Sequence, residues 1–257
     1  MAHDSVEKNY NDKGTIIMEM IYADDYLSPG ALHTTQSLVE FGAVSNGLKV
    51  LDIGSGVGGA GFHLAESKDC SVVGVDLVQS NVADANRRAR DRGLSNQARF
   101  MFGNATALPF VDEKFDLVWG QDAWCHVDDK AQLFSEAARV LVTKGSLVFS
   151  DWLLRDAQSS LADQVRDVTS SPYIADTETY KLLLDAHGFE QLEHHDNTVE
   201  FVARYHEVIM KMRALESEIC SRFGTRIYEI VLEKQQFVCD AFDKGILASG
   251  YFRASRS

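Results

Sequence analysis

The sequence predicts an α/β fold with a doubly wound, mostly parallel sheet of seven strands. Three observations support this prediction. Short apolar runs alternate with stretches of helical periodicity between residues 47 and 155, a glycine-rich turn follows the first run, and an acidic residue ends the second. Sheets of this class bind ligands at the carboxyl ends of their strands. The loops that follow the strands are therefore where functional residues are expected.

The first predicted strand, Lys49 to Ile53, leads into the turn Gly54-Ser55-Gly56-Val57-Gly58-Gly59. An apolar run is typical of a buried parallel strand. Glycines let the backbone turn sharply and approach a ligand closely. Helical spacing follows, so the segment predicts the strand, turn and helix N-terminus of a nucleotide-binding corner. The match of this turn to G-x-G-x-x-G is, alone, weak support for NAD.

The second predicted strand, Ser71 to Val75, is followed by Asp76, twenty-two residues after Gly54. A carboxylate at this place accepts hydrogen bonds from both ribose hydroxyls of an adenosine. That role fits NAD and S-adenosylmethionine (SAM) equally. The alternative is that Asp76 only caps the next helix.

The remaining elements complete one predicted domain, 1–257. It comprises a helical cap at 1–45, a cofactor-binding core at 46–155, and acceptor-side helices and last strands at 156–257. The other predicted strands are Arg99–Phe102, Phe115–Trp119, Ser146–Ser150, Phe189–His195 and Ile246–Ala254. Two long amphipathic helices are expected before the last strand, with apolar faces formed by Phe201, Tyr205, Val208, Met212, Leu215 and Ile219, and by Ile227, Ile230, Val231, Phe237, Val238 and Ala241.

The net charge of −13 and the pI of about 5.0 argue against nucleic acid or an anionic membrane as a partner. No apolar run approaches the roughly 20 residues of a membrane span, and no signal region is seen at the N-terminus. We expect a cytoplasmic protein. The four cysteines lack C-x-x-C spacing, so no metal is expected. Monomer and dimer both remain open.

The loop after the fourth strand, Trp119 to Val127, is predicted to face the ligand. Asp122 and His126 lie four residues apart, which lets them share a face on a turn or helix start. A histidine deprotonates an ammonium or orients its lone pair, and Asp122 would attract a cationic amine. The alternative is an ordinary loop histidine. Asn104 is expected at the adenine amino group, or else in a local turn bond; Tyr10 is a candidate to cover the site.

The core resembles the class I SAM-dependent methyltransferases, which have a Rossmann-like fold. The resemblance is carried by Leu51 to Gly59, Asp76, Ala107-Leu108-Pro109-Phe110, Phe115 to Val118, Arg139-Val140-Leu141 and Lys144 to Leu147. It implies SAM as cofactor and S-adenosylhomocysteine as product. The expected cofactor-binding residues are Gly54, Ser55, Gly56, Asp76, Leu77, Asn104, Ala105, Gln121 and Ser28.

A resemblance over nearly the whole chain is to the phosphoethanolamine N-methyltransferases. It is carried by Asn9 to Gly14, Tyr26 to Gly30, Gln121 to His126 and Gly250 to Ala254. The loop around Gln121 and the insertion at 199–243 are also similar to sarcosine/dimethylglycine methyltransferases. The first resemblance implies a Tyr–His pair, here Tyr10 and His126, that closes the site and assists deprotonation of the amine. It also implies that Asp122 is an acceptor-side aspartate.

The chain departs from the phosphoethanolamine family where that family binds phosphate. Trp152 stands at an expected tyrosine, Ser170 and Pro172 near an expected arginine and tyrosine, and Val238 near an expected lysine. Loss of these ligands would leave a phosphate dianion poorly neutralised. A carboxylate-substituted amine held by Arg166 or Arg204 therefore fits better. Trp124 and Trp152 are expected to offer aromatic faces to a quaternary ammonium.

The sequence thus predicts transfer of a methyl group from SAM to the nitrogen of a small amine, of the sarcosine or dimethylglycine kind. His126, Tyr10 and Asp122 are the expected catalytic residues. The alternatives are methylation of a phosphobase, or of the oxygen or sulfur of a small metabolite. Remoter alternatives are a NAD-dependent oxidoreductase, which NAD rather than SAM would stabilise, and a SAM-binding protein without catalysis.

Overall fold

A computed structural model of the chain describes residues 12–257 and contains one seven-stranded sheet. The strands are β1 (Lys49–Ile53), β2 (Ser71–Asp76), β3 (Ala98–Phe102), β4 (Phe115–Gln121), β5 (Leu141–Leu154), β6 (Phe189–Asp196) and β7 (Leu247–Arg256). The α-helices of the described residues are α1 (Asp12–Ile21), α2 (Ala31–Phe41), α3 (Gly59–Lys68), α4 (Gln79–Asp91), α5 (Lys130–Val140), α6 (Ala162–Thr169), α7 (Thr177–Ala186), α8 (Thr198–Ala214), α9 (Glu216–Phe223) and α10 (Thr225–Asp243).

The strand order is β3-β2-β1-β4-β5-β7-β6, which confirms the predicted doubly wound architecture. Strands β1 to β5 pair in parallel, and β7 is antiparallel to both β5 and β6. The chain runs from β1 outward to β3 and then returns to β4 on the other side of β1. The sheet therefore has its switch point between the carboxyl ends of β1 and β4, where ligands bind in such folds. Helices cover the sheet, so β1 is buried from Val50 to Ile53.

The acceptor-side region departs from the prediction in two places. Strand β5 extends to Leu154 because Ser146 to Leu154 pair continuously with β7. The two expected long helices are three, because the first of them is interrupted at Leu215, between α8 and α9. Gly224, with a φ of +95°, separates α9 from α10. Ile230 was expected on the apolar face of the second long helix, but its side chain is 45% exposed, whereas Val238 and Ala241 of that face are buried.

The helices before the first strand pack on the helices before the last one. Ile21 of α1 is fully buried in a cluster with Val208, Met212, Ile219 and Tyr228 of the three insertion helices. Burial of this apolar surface holds the cap against the insertion helices. Each Å² of apolar area removed from water stabilises this packing by roughly 25 cal/mol. Helix α1 of the cap and helices α8 to α10 of the insertion together therefore form a helical cover at one edge of the sheet. None of the helices within residues 12–257 combines the length and apolarity needed to cross a membrane.

Candidate active site

A cavity of about 290 Å³ lies at the carboxyl ends of β1, β2 and β4. Its walls are the glycine turn after β1, the start of α4, and the loops that follow β3 and β4. All nine residues predicted to bind the cofactor line this cavity, namely Gly54, Ser55, Gly56, Asp76, Leu77, Asn104, Ala105, Gln121 and Ser28. The strands are parallel, so their carboxyl ends meet at one edge and bring these residues together.

Gly54 requires the absence of a side chain for two reasons. Its φ is +82°, a conformation that residues with a Cβ rarely adopt. A Cβ on Gly54 would also lie 2.4 Å from the Cβ of Ala123. The glycine thus allows the loop after β4 to lie directly against the turn after β1. This contact sets the position of Asp122, which precedes Ala123, and of His126, which ends the 3-10 turn Trp124–His126.

The carboxylate of Asp76 is held by backbone donors at the wall of the cavity. Its Oδ2 atom accepts from the amide of Gly56 at 2.7 Å, and Oδ1 accepts from the amide of Val78 at 2.9 Å. Burial raises the pKa of Asp76, and these two bonds oppose the rise. The bond to the amide of Val78 lies at the start of α4. Asp76 therefore contacts the start of that helix, as the alternative interpretation expected, and also lines the cavity.

Two buried polar atoms of the same wall have no hydrogen-bond partner among residues 12–257. They are Oδ2 of Asp52 and Oγ of Ser55. Burial and the neighbouring charge of Asp76 raise the pKa of Asp52 to about 7. Orphaned buried polar atoms are rare and usually meet a ligand or water. Their presence fits a polar cofactor that brings its own donors and acceptors. Asp52 was not predicted as a site residue, although a charged residue inside an apolar strand is a signal for one.

Asn104 and Gln121 line the cavity with side chains that are already engaged. Oδ1 of Asn104 accepts from the amide of Thr106 at 3.0 Å and from its hydroxyl at 2.9 Å, which is the local turn bond considered as the alternative. Oε1 of Gln121 accepts from the hydroxyl of Thr35 at 2.8 Å, and Nε2 donates to the carbonyl of Ala31 at 3.1 Å. Gln121 therefore fastens α2 to the end of β4.

A second cavity, of about 170 Å³, adjoins the first beneath the helical cover formed by the cap and the insertion. The two cavities share the lining residues Leu27, Ser28, Asp122 and His126. The second is otherwise lined by α1, α6, α8 and α10 and by Trp152 of β5. Asp122 and His126 thus stand at the junction of a large cavity on the sheet edge and a smaller one under the cap.

Asp122 is half-buried at this junction and has two hydroxyl partners. Its Oδ2 accepts from Ser28 and its Oδ1 from Ser150, both at 2.7 Å. Its φ of +51° turns the loop sharply after β4. Burial raises the pKa of Asp122, while the two serine hydroxyls oppose the rise. Ser150 was not foreseen as a site residue, because its contribution depends on the register of β5 beside β4.

His126 faces both cavities and is held through its Nδ1 atom. Nδ1 lies 3.0 Å from the carbonyl oxygen of Ser170 and 3.3 Å from Oγ of Ser171, whose own hydroxyl donates to the carbonyl of Thr169. A carbonyl only accepts, so Nδ1 carries the hydrogen and Nε2 is the basic nitrogen. Burial lowers the pKa of His126 to about 4. The lowered pKa favours the neutral form of the ring at pH 7.

Lys130 holds the backbone around His126. Its buried Nζ donates to the carbonyls of Trp124 at 2.9 Å, Val127 at 2.9 Å and Tyr173 at 2.6 Å. It thereby ties the turn that carries His126 to the segment that contains Ser170. Sequence reasoning missed Lys130, because a lysine in the first turn of a helix is disfavoured by the helix dipole and usually points to solvent.

The structure corrects three of the expected substrate residues. Arg166 and Arg204 line neither cavity; they pair with Asp163 at 2.8 Å and Glu207 at 3.0 Å on their own helices. Trp124 borders the first cavity, but its ring is 1% exposed, stacks on a core phenylalanine and donates to the carbonyl of Ile53. It therefore presents no aromatic face to a ligand.

Trp152 and Tyr10 were also expected at the site. Trp152 does line the second cavity, packed edge-on against Phe201 and Phe242. Tyr10 lies outside the described residues, so its place over the site stays a prediction.

One group of side chains that can ligate a metal was not foreseen. His206 of α8 and Cys239 and Asp243 of α10 place one ligand atom each within 4.8 Å of one another. The imidazole lies between the other two, with Nε2 at 3.1 Å from Asp243 and Nδ1 at 3.8 Å from the sulfur of Cys239. This arrangement is a hydrogen-bonded trio in which the ring occupies the space between thiol and carboxylate.

Comparison with known proteins supports the interpretation of the fold. A methyltransferase domain family matches residues 51–149, which run from β1 into β5. Phosphoethanolamine N-methyltransferase 3 of Arabidopsis thaliana is 28% identical over 87% of this chain and 45% of its own length. The glycine/sarcosine/dimethylglycine N-methyltransferase of Actinopolyspora halophila is 28% identical over 70% of this chain and 32% of its own length. The chain thus spans less than half of these curated relatives.

Two solved structures share the architecture. One is phosphoethanolamine N-methyltransferase 2 of Haemonchus contortus, solved in complex with phosphomonomethylethanolamine and S-adenosylhomocysteine. It superposes with a TM-score of 0.92 at 22% identity, and the match covers all of this chain and 60% of the solved chain. A putative sarcosine dimethylglycine methyltransferase of Galdieria sulphuraria superposes with a TM-score of 0.86 at 20% identity, over 97% of this chain and 98% of its own. Residues 51–149 thus match a methyltransferase domain, the chain has the fold of class I methyltransferases, and its sequence is similar to phosphoethanolamine and glycine/sarcosine/dimethylglycine N-methyltransferases.

Proposed function

We propose that this chain transfers the methyl group of SAM to the nitrogen of a small amine. The observation that carries the proposal is the meeting of two cavities at Asp122 and His126. The larger cavity has the glycine turn, Asp76 and the orphaned atoms of Asp52 and Ser55, which suit an adenosyl cofactor. The smaller cavity has the acidic and imidazole groups that suit an amine. Methyl transfer requires the two ligands to meet at one point.

SAM, when bound, supplies a methyl carbon attached to a sulfonium sulfur. An acceptor that had first released its ammonium proton to water would use the nitrogen lone pair to form the new N–C bond as the C–S bond broke, and the departing sulfur would keep the electron pair. S-adenosylhomocysteine and a methylated ammonium result, and the ammonium proton is then released to water. The main contribution of the protein is to hold the two reactants in line in a closed cavity.

Asp122 and His126 act on the amine in different ways. The carboxylate of Asp122 attracts the cationic amine and places it at the junction of the cavities. His126, neutral because its pKa is about 4, accepts a hydrogen bond from the amine N–H at Nε2 and directs the lone pair. A group with this pKa is too weak a base to strip an ammonium of its proton. Of the two roles considered for His126, proton removal and orientation of the lone pair, the lowered pKa favours orientation, and Tyr10 is kept as the proposed cover.

The size of the second cavity supports a small acceptor. Cavities of about 150 Å³ bind benzene in another protein, so about 170 Å³ suits an acceptor of similar size, such as sarcosine or dimethylglycine. A phosphobase is an equally strong candidate, because the similarity to phosphoethanolamine N-methyltransferases extends over 87% of the chain. Residues from 14 to 238 line the two cavities, which supports the expectation of a single domain.

The test is detection of methylated product by mass spectrometry, using purified protein, SAM and a panel of amines. The panel contains glycine, sarcosine, dimethylglycine, ethanolamine and phosphoethanolamine, with a catechol and a thiol as oxygen and sulfur acceptors. Turnover of an amine supports the proposal, and His126→Ala should lower kcat for that amine. Turnover of only the catechol or the thiol would refute nitrogen as the acceptor. Bound SAM with no turnover would refute a small acceptor.

A further inference from the structure

The contact between α8 and α10 carries three side chains that the proposed mechanism does not use. His206 lies on α8, and Cys239 and Asp243 lie one turn apart on α10. Their neighbours in the chain, Tyr205 and Val238, line the second cavity, whereas none of the three lines either cavity. The trio therefore joins two helices that wall the second cavity, and it does so outside the proposed site of methyl transfer.

The trio offers an imidazole nitrogen, a thiol sulfur and a carboxylate oxygen, and one such atom of each residue lies within 4.8 Å of the others. Zn²⁺ binds to these three kinds of ligand, and a water completes its tetrahedron where the protein supplies only three. Bonds of about 2.0–2.3 Å then hold the ligand atoms roughly 3.3–3.7 Å apart. The 3.1 Å from Nε2 of His206 to Asp243 and the 3.8 Å from its Nδ1 to the sulfur of Cys239 are close to that spacing.

The imidazole of His206 has to turn so that one of its nitrogens meets both other ligands. The side chains of His206 and Asp243 are 51% and 41% exposed, and exposed side chains change rotamer within picoseconds to nanoseconds. Cys239 is fully buried, so its sulfur is the fixed member of the set. A small reorientation of the two exposed side chains therefore brings all three ligand atoms around one point at the sulfur.

The charges around the thiol suit a cation. Burial, followed by the carboxylates of Asp243 and Asp240, raises the pKa of Cys239 to about 11. Carboxylates that disfavour a bare thiolate attract a divalent cation to the same place, and the cation in turn stabilises the thiolate. On binding, the thiol releases its proton to water, and the sulfur donates a lone pair to the ion.

We propose that His206, Cys239 and Asp243 bind a divalent transition-metal ion, with Zn²⁺ as the ion that matches the ligand set, and that this ion fastens α8 to α10. The inference goes beyond the proposed methyl transfer and does not depend on it. The sequence-based expectation of no metal rested on the absence of C-x-x-C spacing. Here the histidine and the cysteine lie 33 residues apart on two helices, so the ligand set has no local pattern in the sequence.

The experiment titrates chelator-treated protein with Zn²⁺ in competition with a chromophoric chelator, and with Co²⁺, whose absorption spectrum reports its ligands. Cys239→Ser removes the sulfur, and His206→Phe keeps a ring of similar shape without its nitrogens. Because His206 is exposed, His206→Phe tests the site without disturbing the core. Cys220→Ser changes a cysteine of α9 outside the trio and is the matched control. Each ligand variant should weaken Zn²⁺ binding at least about 100-fold, since only three side chains share the binding energy.

The proposal is supported if wild type and Cys220→Ser bind one Zn²⁺ per chain, and if their Co²⁺ forms show a sulfur-to-cobalt charge-transfer band that both ligand variants lack. Zn²⁺ should also raise the Tm of wild type and leave that of His206→Phe unchanged. The site is overturned if wild type binds no Zn²⁺ at about 100 µM free ion, if His206→Phe binds it as tightly, or if the Co²⁺ form lacks the band. Amine methylation is measured separately, so failure of the metal site leaves the proposed function standing.

Discussion

His126→Asn is the sharpest test of the neutral imidazole on which the proposed chemistry depends. In the folded protein the pKa of His126 is lowered from 6.5 to about 4, mainly by burial, with the hydrogen bond to Ser170 acting in the opposite direction. The unfolded chain therefore binds a proton between pH 6.5 and 4 that the folded protein does not. The free energy of unfolding falls as the pH falls through that window. Asparagine has no such titration, and its amide is able to keep a donor toward Ser170.

The magnitude follows from the two pKa values. A full shift of this size lowers the free energy of unfolding by about 2 kcal/mol between pH 7 and pH 5. Partial solvent contact of the ring reduces this to about 1–2 kcal/mol. Other groups titrate in the same range, among them Asp52, whose raised pKa acts in the opposite direction. They cancel in the difference between wild type and variant, so the difference curve isolates His126.

The assay is urea unfolding at pH 5, 6, 7 and 8, followed by tryptophan fluorescence and repeated without and with S-adenosylhomocysteine. The difference in free energy between wild type and His126→Asn should be constant from pH 7 to 8 and should shift by about 1–2 kcal/mol at pH 5. A difference that stays flat down to pH 5 would refute the lowered pKa. It would also return His126 to the role of a general base with a near-neutral pKa.

Three other changes give further expectations. Asp76→Asn should weaken SAM binding, measured by calorimetry, about 10- to 100-fold, because a charged acceptor at the cavity wall is lost; wild-type affinity would contradict a ribose role. Lys130→Met should lower the free energy of unfolding by about 3 kcal/mol or more, since three carbonyls lose the donor that a buried lysine supplies, whereas the exposed control Lys144→Met should change it by less than about 0.5 kcal/mol. Arg166→Ala and Arg204→Ala should leave the KM of the acceptor unchanged, and a tenfold rise in either would restore the sequence-based assignment.

The sequence alone was sufficient to predict the sheet and the edge of the sheet at which ligands bind. Strands β1 and β4 are short apolar runs, and the glycine turn and Asp76 follow their strands directly. In a parallel sheet, position along the chain then fixes position at the carboxyl edge. This is why the sequence predicts Gly54, Asp76, Asp122 and His126 at one site, and all four line the first cavity.

Tertiary packing decided which of the remaining polar side chains reach that site. On an amphipathic helix, a basic residue beside the apolar face points either to solvent or into a cavity, and the pattern does not distinguish the two. Arg204, for example, pairs with Glu207 on its own helix and lines neither cavity. The buried position of Lys130 likewise depends on three carbonyls from two distant segments. Such long-range contacts have no local signature in the sequence, so only the folded chain reveals them.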